Sequence, residues 1–357
     1  MTSPSERRAH VVGLGLIGAS VARSLATTGW TVTGTDLDPD TVERARALGI
    51  VTNAEMDPAT TLVVIATPAG SVATLANEVL ARLEDPGAIV TDVAGVKSAI
   101  VAAVEDARFI GGHPMAGSEQ RGLAAARDDL FRGCTWVLTP TTATEPGHYS
   151  RLHGYLRELG ANVIAIAAED HDRLVALASH VPHLLASALM NEASLAAEQD
   201  AVLLQLAAGG FRDMTRIAAG DPSIWPDVLF ENREAITQTL HSLEARLANV
   251  RAALADGRRE EIATKLALAS EARRQLPGRA LSADRLAYLR VAVSDRPGEL
   301  ATVTVAASDM AVNIFDIEIA HGIEGVSGTL LLAVDADHAA RFRDALDALG
   351  FSVTLER

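Results

Sequence analysis

"HVVGLGLIGASVARSL", residues 10–25, sets Gly13, Gly15 and Gly18 in GxGxxG spacing between an apolar run and a helix-period run. Three glycines so spaced meet three needs: a tight turn, close approach of backbone to a pyrophosphate, and close packing of a helix on a sheet. The bare pattern is short and glycine is common, so its context decides. The residues before it read as a strand, those after it as a helix, and Asp36 closes the next strand in "WTVTGTD", residues 30–36. A pyrophosphate would sit on free N–H groups at the helix N-terminus, where Leu16 and Ile17 follow Gly15. Asp36, with Asp38 beside it, would accept hydrogen bonds from ribose hydroxyls and repel an added phosphate, which favours NAD over NADP.

Outward from this turn, "LVVIATP" (62–68), "AIVTDV" (88–93), "RFIGG" (108–112) and "TWVLTP" (135–140) alternate with helical stretches. Near-continuous apolar strands alternating with amphipathic helices indicate a parallel sheet covered on both faces. Residues 1–147 therefore read as a Rossmann-type, doubly wound α/β domain. From 148 to 275 the chain turns to Ala/Leu-rich helix, with "NVIAI" at 162–166 as its one strand signal. There Ile236, Leu240, Leu243, Leu247, Val250 and Leu254 recur at spacings of three and four, as either an intramolecular bundle or a dimer seam requires. A polar stretch at 270–284 with Pro277 and Gly278 reads as a linker. Residues 284–357 then run strand, helix, strand, strand, helix, strand, the order of a small ferredoxin-like βαββαβ unit.

A length of 357 residues suits two or three domains. The formal net charge of -15 argues against nucleic acid. It also means that an anionic substrate must be held by local arginines or histidines in a desolvated pocket. The sequence carries neither a long uninterrupted apolar run nor the apolar core of a signal peptide, so a cytoplasmic protein without membrane contact is expected. Cys134, the single cysteine, reads as a small buried hydrophobe.

"FIGGHPMAGSEQRG", residues 109–122, puts His113 between two glycines and a proline at the end of a strand. That is the sheet edge where open α/β domains bind ligands, and an imidazole there is either a base near neutrality or a turn-capping group. "SHVPH" spaces His180 and His183 three apart; with no third ligand at a convincing spacing no metal is expected, and one of the two reads as a substrate contact. "GGFRDMTRIAAGDPSIWPD", residues 209–227, carries Arg216 in apolar company, four after Arg212 and three after Asp213. Burying it asks for an anion: a substrate, or Asp213.

These motifs together, "GLGLIG" with Asp36, "DVAGVKS" (92–98), "GGHPMAGSE" (111–119), "SHVPH" (179–183) and "GGFRDMTRIAAGDPSIW" (209–225), resemble the prephenate dehydrogenase family over nearly the whole chain. The last segment, with "DRPGEL" (295–300) and "VNI" (312–314), resembles an ACT domain. The resemblance implies NAD-dependent oxidation of prephenate to 4-hydroxyphenylpyruvate with loss of carbon dioxide, a step toward tyrosine. It implies His113 as general base, Arg216 on a substrate carboxylate, and His183, Ser118, Gly209 and Trp225 around the substrate. A homodimer is implied, with the helical segment binding substrate and pairing subunits. L-Tyrosine is the implied regulatory ligand, at Asp295, Gly298 and Asn313. Two alternatives stay open: arogenate as substrate, and a non-catalytic sensor of NAD and an amino acid. Gly95 stands where many members carry a serine; Ser98 or a water is the candidate substitute. Lys97 reads as structural or cofactor-adjacent, or as a catalytic lysine.

Overall fold

A computed structural model describes residues 7–116, 122–200, 202–222, 225–275, 286–294, 299–310, 312, 314–321 and 327–356. They form two compact units, residues 1–201 with 214–244 and residues 202–213 with 245–357.

The first unit is built on a seven-stranded sheet. Its elements are β1 (Arg8–Val12), α1 (Leu16–Thr27), β2 (Thr31–Thr35), α2 (Pro39–Ala47), β3 (Leu62–Ile65), α3 (Ala69–Arg82), β4 (Ile89–Asp92), α4 (Ser98–Ala103), β5 (Phe109–Pro114), β6 (Thr135–Thr139), α5 (Pro146–Glu158) and β7 (Asn162–Ala165). The spatial order is β2-β1-β3-β4-β5-β6-β7. After β2 the chain crosses to the other side of β1, so the switch in strand order lies between β1 and β3, where such sheets open a crevice.

Alternation along single strands explains why both faces are covered. In β3, Leu62 and Val64 join one apolar cluster with α1 and α5, while Val63 and Ile65 join another with α3 and α4. A strand buried on both faces has no polar side to show, hence its continuous apolar run. The sheet departs from the all-parallel expectation at one place: β6 runs antiparallel to β5, and β7 is parallel to β6. The link from β5 to β6 contributes only a short 3₁₀ turn, Leu123–Ala125, among its described residues, so no crossover helix returns the chain for a parallel pairing. The sheet also continues past residue 147 to β7, the strand signalled by "NVIAI", whose residues are largely exposed at the sheet's edge.

Beyond the sheet come α6 (Ala168–Val175), a π-helical turn (Ala176–His180) and α7 (Val181–Gln199). By length and composition this continuous stretch is apolar enough to cross a membrane, contrary to the reading from uninterrupted runs. Its polar residues His171, Asp172 and His180 are buried instead, against the sheet domain. Next are α8 (Gly209–Thr215), a 3₁₀ turn at Arg216–Ala219, α9 (Trp225–Glu231), α10 (Arg233–Ala255) and α11 (Arg259–Arg274). The apolar seam of α10 divides in two: Ile236, Leu240 and Leu243 pack with Ala176 and Val181, whereas Leu247 and Leu254 are exposed.

In the second unit β8 (Leu286–Ser294), α12 (Glu299–Asp309), β9 (Ile314–His321), β10 (Ser327–Asp335), α13 (Ala336–Ala348) and β11 (Ser352–Glu356) form an antiparallel sheet of order β11-β8-β10-β9. That is the ferredoxin-like order, with Phe342 and Leu346 of α13 and Val303 of α12 closing its core.

Candidate active site

The glycine turn has the geometry its spacing requires. Gly13 has φ of +91°, open to glycine at little cost, and a Cβ there would overlap the Ala66 carbonyl oxygen beyond β3. A Cβ on Gly18 would overlap the Gly13 carbonyl, so α1 packs directly on the turn. Gly15, by contrast, faces open space: a Cβ would meet nothing within 4 Å. It caps α1 with no side-chain bond to the first-turn N–H groups and no acidic residue in that turn. Leu16, Ile17 and Gly18 thus begin a helix whose positive end is free for an anion, which is the fit a dinucleotide pyrophosphate needs.

Asp36 stands just after β2, half-buried, and accepts the Leu14 N–H at 2.7 Å and the Asp38 N–H at 3.0 Å through different oxygens. Each oxygen keeps a lone pair for a further donor. Asp38 does something other than flank a ribose. It caps α2, accepting from the Asp40 N–H and the Thr41 hydroxyl.

His113 lies in β5 near its carboxyl end, half-buried, with Gly95 beside the outer edge of its ring. Its Nδ1 is 2.8 Å from Nε2 of His171, and the Nδ1 of His171 is 2.8 Å from Oδ1 of Asp172. The same carboxylate accepts the Lys97 and Ser98 N–H groups, each at 2.8 Å, and so ties α6 to the start of α4. Burial works to raise the Asp172 pKa, but hydrogen bonds from His171, the Ser98 hydroxyl and these N–H groups outweigh it and hold the carboxyl below its usual range. Burial, followed by the neighbouring His171, Lys97 and His180, pushes His113 well below the ordinary imidazole value, so its ring is neutral at physiological pH.

Beneath it, Lys97 and Asp92 are fully buried and paired. Asp92 also accepts the Gly112 N–H at 3.0 Å and the Ala94 N–H at 2.9 Å, which fixes the backbone next to His113. The lysine is therefore built into the floor of the site. Burial pulls its pKa down against the opposing pull of Asp92.

A Cβ on Gly95 would lie 3.8 Å from His113 Nε2, so the residue at the position of the family serine borders the ring's outer nitrogen. Ser98 does not substitute for that serine, since its hydroxyl and N–H both go to Asp172.

Among the other expected residues, His183 and Trp225 are brought together, their rings stacked at 3.6 Å and 13°. His180 is buried and meets the Asn232 amide at 3.1 Å, a support role, while the same amide donates to the Asp172 carbonyl at 2.8 Å. Arg216 corrects the sequence reading: it is exposed, at the start of a 3₁₀ turn beside α7 instead of buried in apolar surroundings, because that turn buries none of its residues. Gly209 is exposed and belongs to the second compact unit. Ser118, Asp295, Gly298 and Asn313 lie outside the described residues. Cys134 is half-buried against the main core.

Sequence reasoning missed His171, Asp172 and Asn232. The adjacent "HD" opening the helix before "SHVPH" was the available signal, but nothing in its spacing points at residue 113.

Two family models cover most of the chain: "Prephenate dehydrogenase, nucleotide-binding domain" matches residues 21–165 and "Prephenate dehydrogenase, dimerization domain" residues 167–268. The chain belongs to the prephenate dehydrogenase family. It is 29% identical over 341 residues to the prephenate dehydrogenase of Bacillus subtilis, covering 92% of each chain. The Aquifex aeolicus enzyme, solved with hydroxyphenyl propionate and NAD+, superposes with a TM-score of 0.72 at 29% identity, over 77% of this chain and all of that one. Synechocystis arogenate dehydrogenase gives 0.67 at 31%, over 76% of this chain and all of that one. The protein is thus an NAD-dependent oxidoreductase. Its helical part matches the family's dimerization domain, and Leu177, Leu195 and Phe230 are exposed there.

Proposed function

We propose that the chain oxidises prephenate to 4-hydroxyphenylpyruvate, with His113 accepting the ring hydroxyl's proton. The observation that carries this is an imidazole hydrogen-bonded to His171 at the carboxyl edge of the same sheet that presents an uncapped glycine turn, with its pKa held down by burial. NAD, when bound at the glycine turn, would supply the acceptor for the hydride of the C–H adjacent to that hydroxyl. As the ring carboxylate departs as carbon dioxide, the electron pair of the broken C–C bond completes the aromatic ring, and the ring oxygen takes its proton back from His113. Low local dielectric keeps His113 unprotonated, ready to accept, and walls off competing water. The α1 N–H groups after Gly15, with Leu16, Ile17 and Gly18, would hold the pyrophosphate, and Asp36 the ribose hydroxyls.

Arg216 holds a substrate carboxylate by charge-assisted hydrogen bonds, answering the need for a local cation in an acidic chain. Its exposure in a single chain fits a site closed by the second subunit. His183, stacked on Trp225, contributes to the substrate surroundings, with the sheet segment and the helical segment after it dividing the labour.

Likeness to an arogenate dehydrogenase makes arogenate the rival substrate. Following NADH absorbance with each compound decides between them: turnover of prephenate alone supports the reading, turnover of arogenate alone overturns it, and silence with both leaves the sensor. The C-terminal βαββαβ sheet supports an ACT-type regulatory unit that takes L-tyrosine at Asp295, Gly298 and Asn313. Unchanged rates in millimolar tyrosine would remove that part.

A further inference from the structure

We propose that His171 and Asp172 are positioning residues that fix the tautomer of His113 and take up the charge it gains. This rests on the reading of His113 as the proton acceptor.

An ionised carboxylate only accepts hydrogen bonds, so across the 2.8 Å contact to Asp172 it is His171 Nδ1 that carries a proton. A neutral His171 then has its lone pair on Nε2. That nitrogen faces His113 Nδ1 at 2.8 Å, so His113 must donate there, and its own lone pair is left on Nε2. Nε2 is the nitrogen bordered by Gly95, where a side chain would have stood and none does. From the carboxylate outward, each hydrogen bond dictates the next, and the free lone pair emerges at Nε2, the nitrogen next to Gly95. In solution imidazole exchanges between two tautomers; here the wrong one would set two N–H groups, or two lone pairs, against each other in a buried contact.

The same chain provides for the proton. When a substrate hydroxyl's O–H bond breaks and Nε2–H forms, the Nδ1 proton of His113 can pass to His171 Nε2. The positive charge then rests beside the Asp172 carboxylate, which has kept its negative charge by accepting from the Lys97 and Ser98 N–H groups. The groups facing His113 are His171 and Asp172 from α6, Lys97 from the turn before α4, and His180 from the π-helical turn. Of these only Asp172 favours the charged ring. Asn232, donating to the Asp172 carbonyl, pins the far end of the relay.

The test is imidazole nitrogen NMR on full-length ¹⁵N-histidine protein, paired with kinetics. In the wild type without substrate, His113 should be protonated at Nδ1 and bare at Nε2. His171→Leu and Asp172→Asn should give mixed tautomers, a fall in kcat of about 10- to 100-fold and little change in the Michaelis constants. His171→Gln, whose carbonyl oxygen can accept from Nδ1, should restore the Nδ1–H form and part of kcat. Asp172→Asn should also move the acid limb of the kcat profile to lower pH, because the one group favouring protonated His113 is gone. A merely structural pair would cost melting temperature without changing the tautomer or that limb. A wild-type ring protonated at Nε2, or a Leu variant with the tautomer intact, overturns the proposal. The stated tautomers in a protein that oxidises neither prephenate nor arogenate would instead overturn the functional reading while leaving the relay standing.

Discussion

The surroundings of His113 and of Arg216 could hardly differ more for two residues assigned to one small substrate. His113 is backed by His171 at 2.8 Å, which in turn meets the Asp172 carboxylate at 2.8 Å, and the buried Lys97–Asp92 pair stands nearby. Arg216 stands exposed on a single 3₁₀ turn. The contrast follows from the chemistry. A base gains from low dielectric and a fixed tautomer, which a finished core provides, whereas a guanidinium stays charged anywhere and needs only an anion and a cover. A cover that arrives with a second subunit leaves the arginine exposed in one chain and costs nothing in folding.

If this division of labour is right, the two ends fail differently. His113→Asn should lower kcat by about 10²- to 10⁴-fold with the prephenate Michaelis constant nearly unchanged, read from initial rates. The reverse pattern would dissolve the contrast. In the intact enzyme, activity should persist below the ordinary imidazole range, since burial holds His113 unprotonated there.

Acid should strike the buried end through stability as well. His10, between Thr33 and Thr35, and His180 are both pushed down to about 4, mainly by burial. An unfolded chain takes up these protons as pH falls through about 6.5, while the folded one refuses them until about 4, so stability is full above 6.5 and drains away across that window. The loss from His10 alone should be on the order of 3 kcal/mol, and His10→Gln should flatten the decline of Tm between pH 7 and 5.

At the exposed end, Arg216→Ala should raise the prephenate Michaelis constant about 10- to 100-fold, the worth of a charge-assisted hydrogen bond, with Tm hardly moved. A fall in kcat alone would make it a partner of the chemistry. The smallest effect is expected at Gly95. The 3.8 Å clearance admits a side chain, so Gly95→Ser should fold normally and change kcat only a few-fold by placing a hydroxyl beside His113 Nε2. A drop approaching that of His113→Asn would mean the glycine itself keeps the lone pair accessible.

The nucleotide turn was legible because its parts are local. Gly13, Gly15 and Gly18 act within one strand-turn-helix, and Asp36 closes the very next strand. His113 was legible as a corner residue for the same reason. The antiparallel direction of β6 was not, since strand direction depends on how the connection returns; β7 was legible as the strand signal "NVIAI", but its membership of this sheet was not, because pairing with β6 decides it. Arg216 looked buried because its neighbours in sequence are apolar, yet the turn that carries it buries none of its residues.

Sequence alone determined the sheet with its dinucleotide turn, the helical segment, the βαββαβ tail and the residue at the corner of β5, because each is written in a periodicity or spacing shorter than a few turns of chain. What His113 can do was decided only by the fold. Its state is set by His171, Asp172, Lys97 and Asn232, which stand on separate elements and meet through packing, and no local pattern records which distant imidazole will face which.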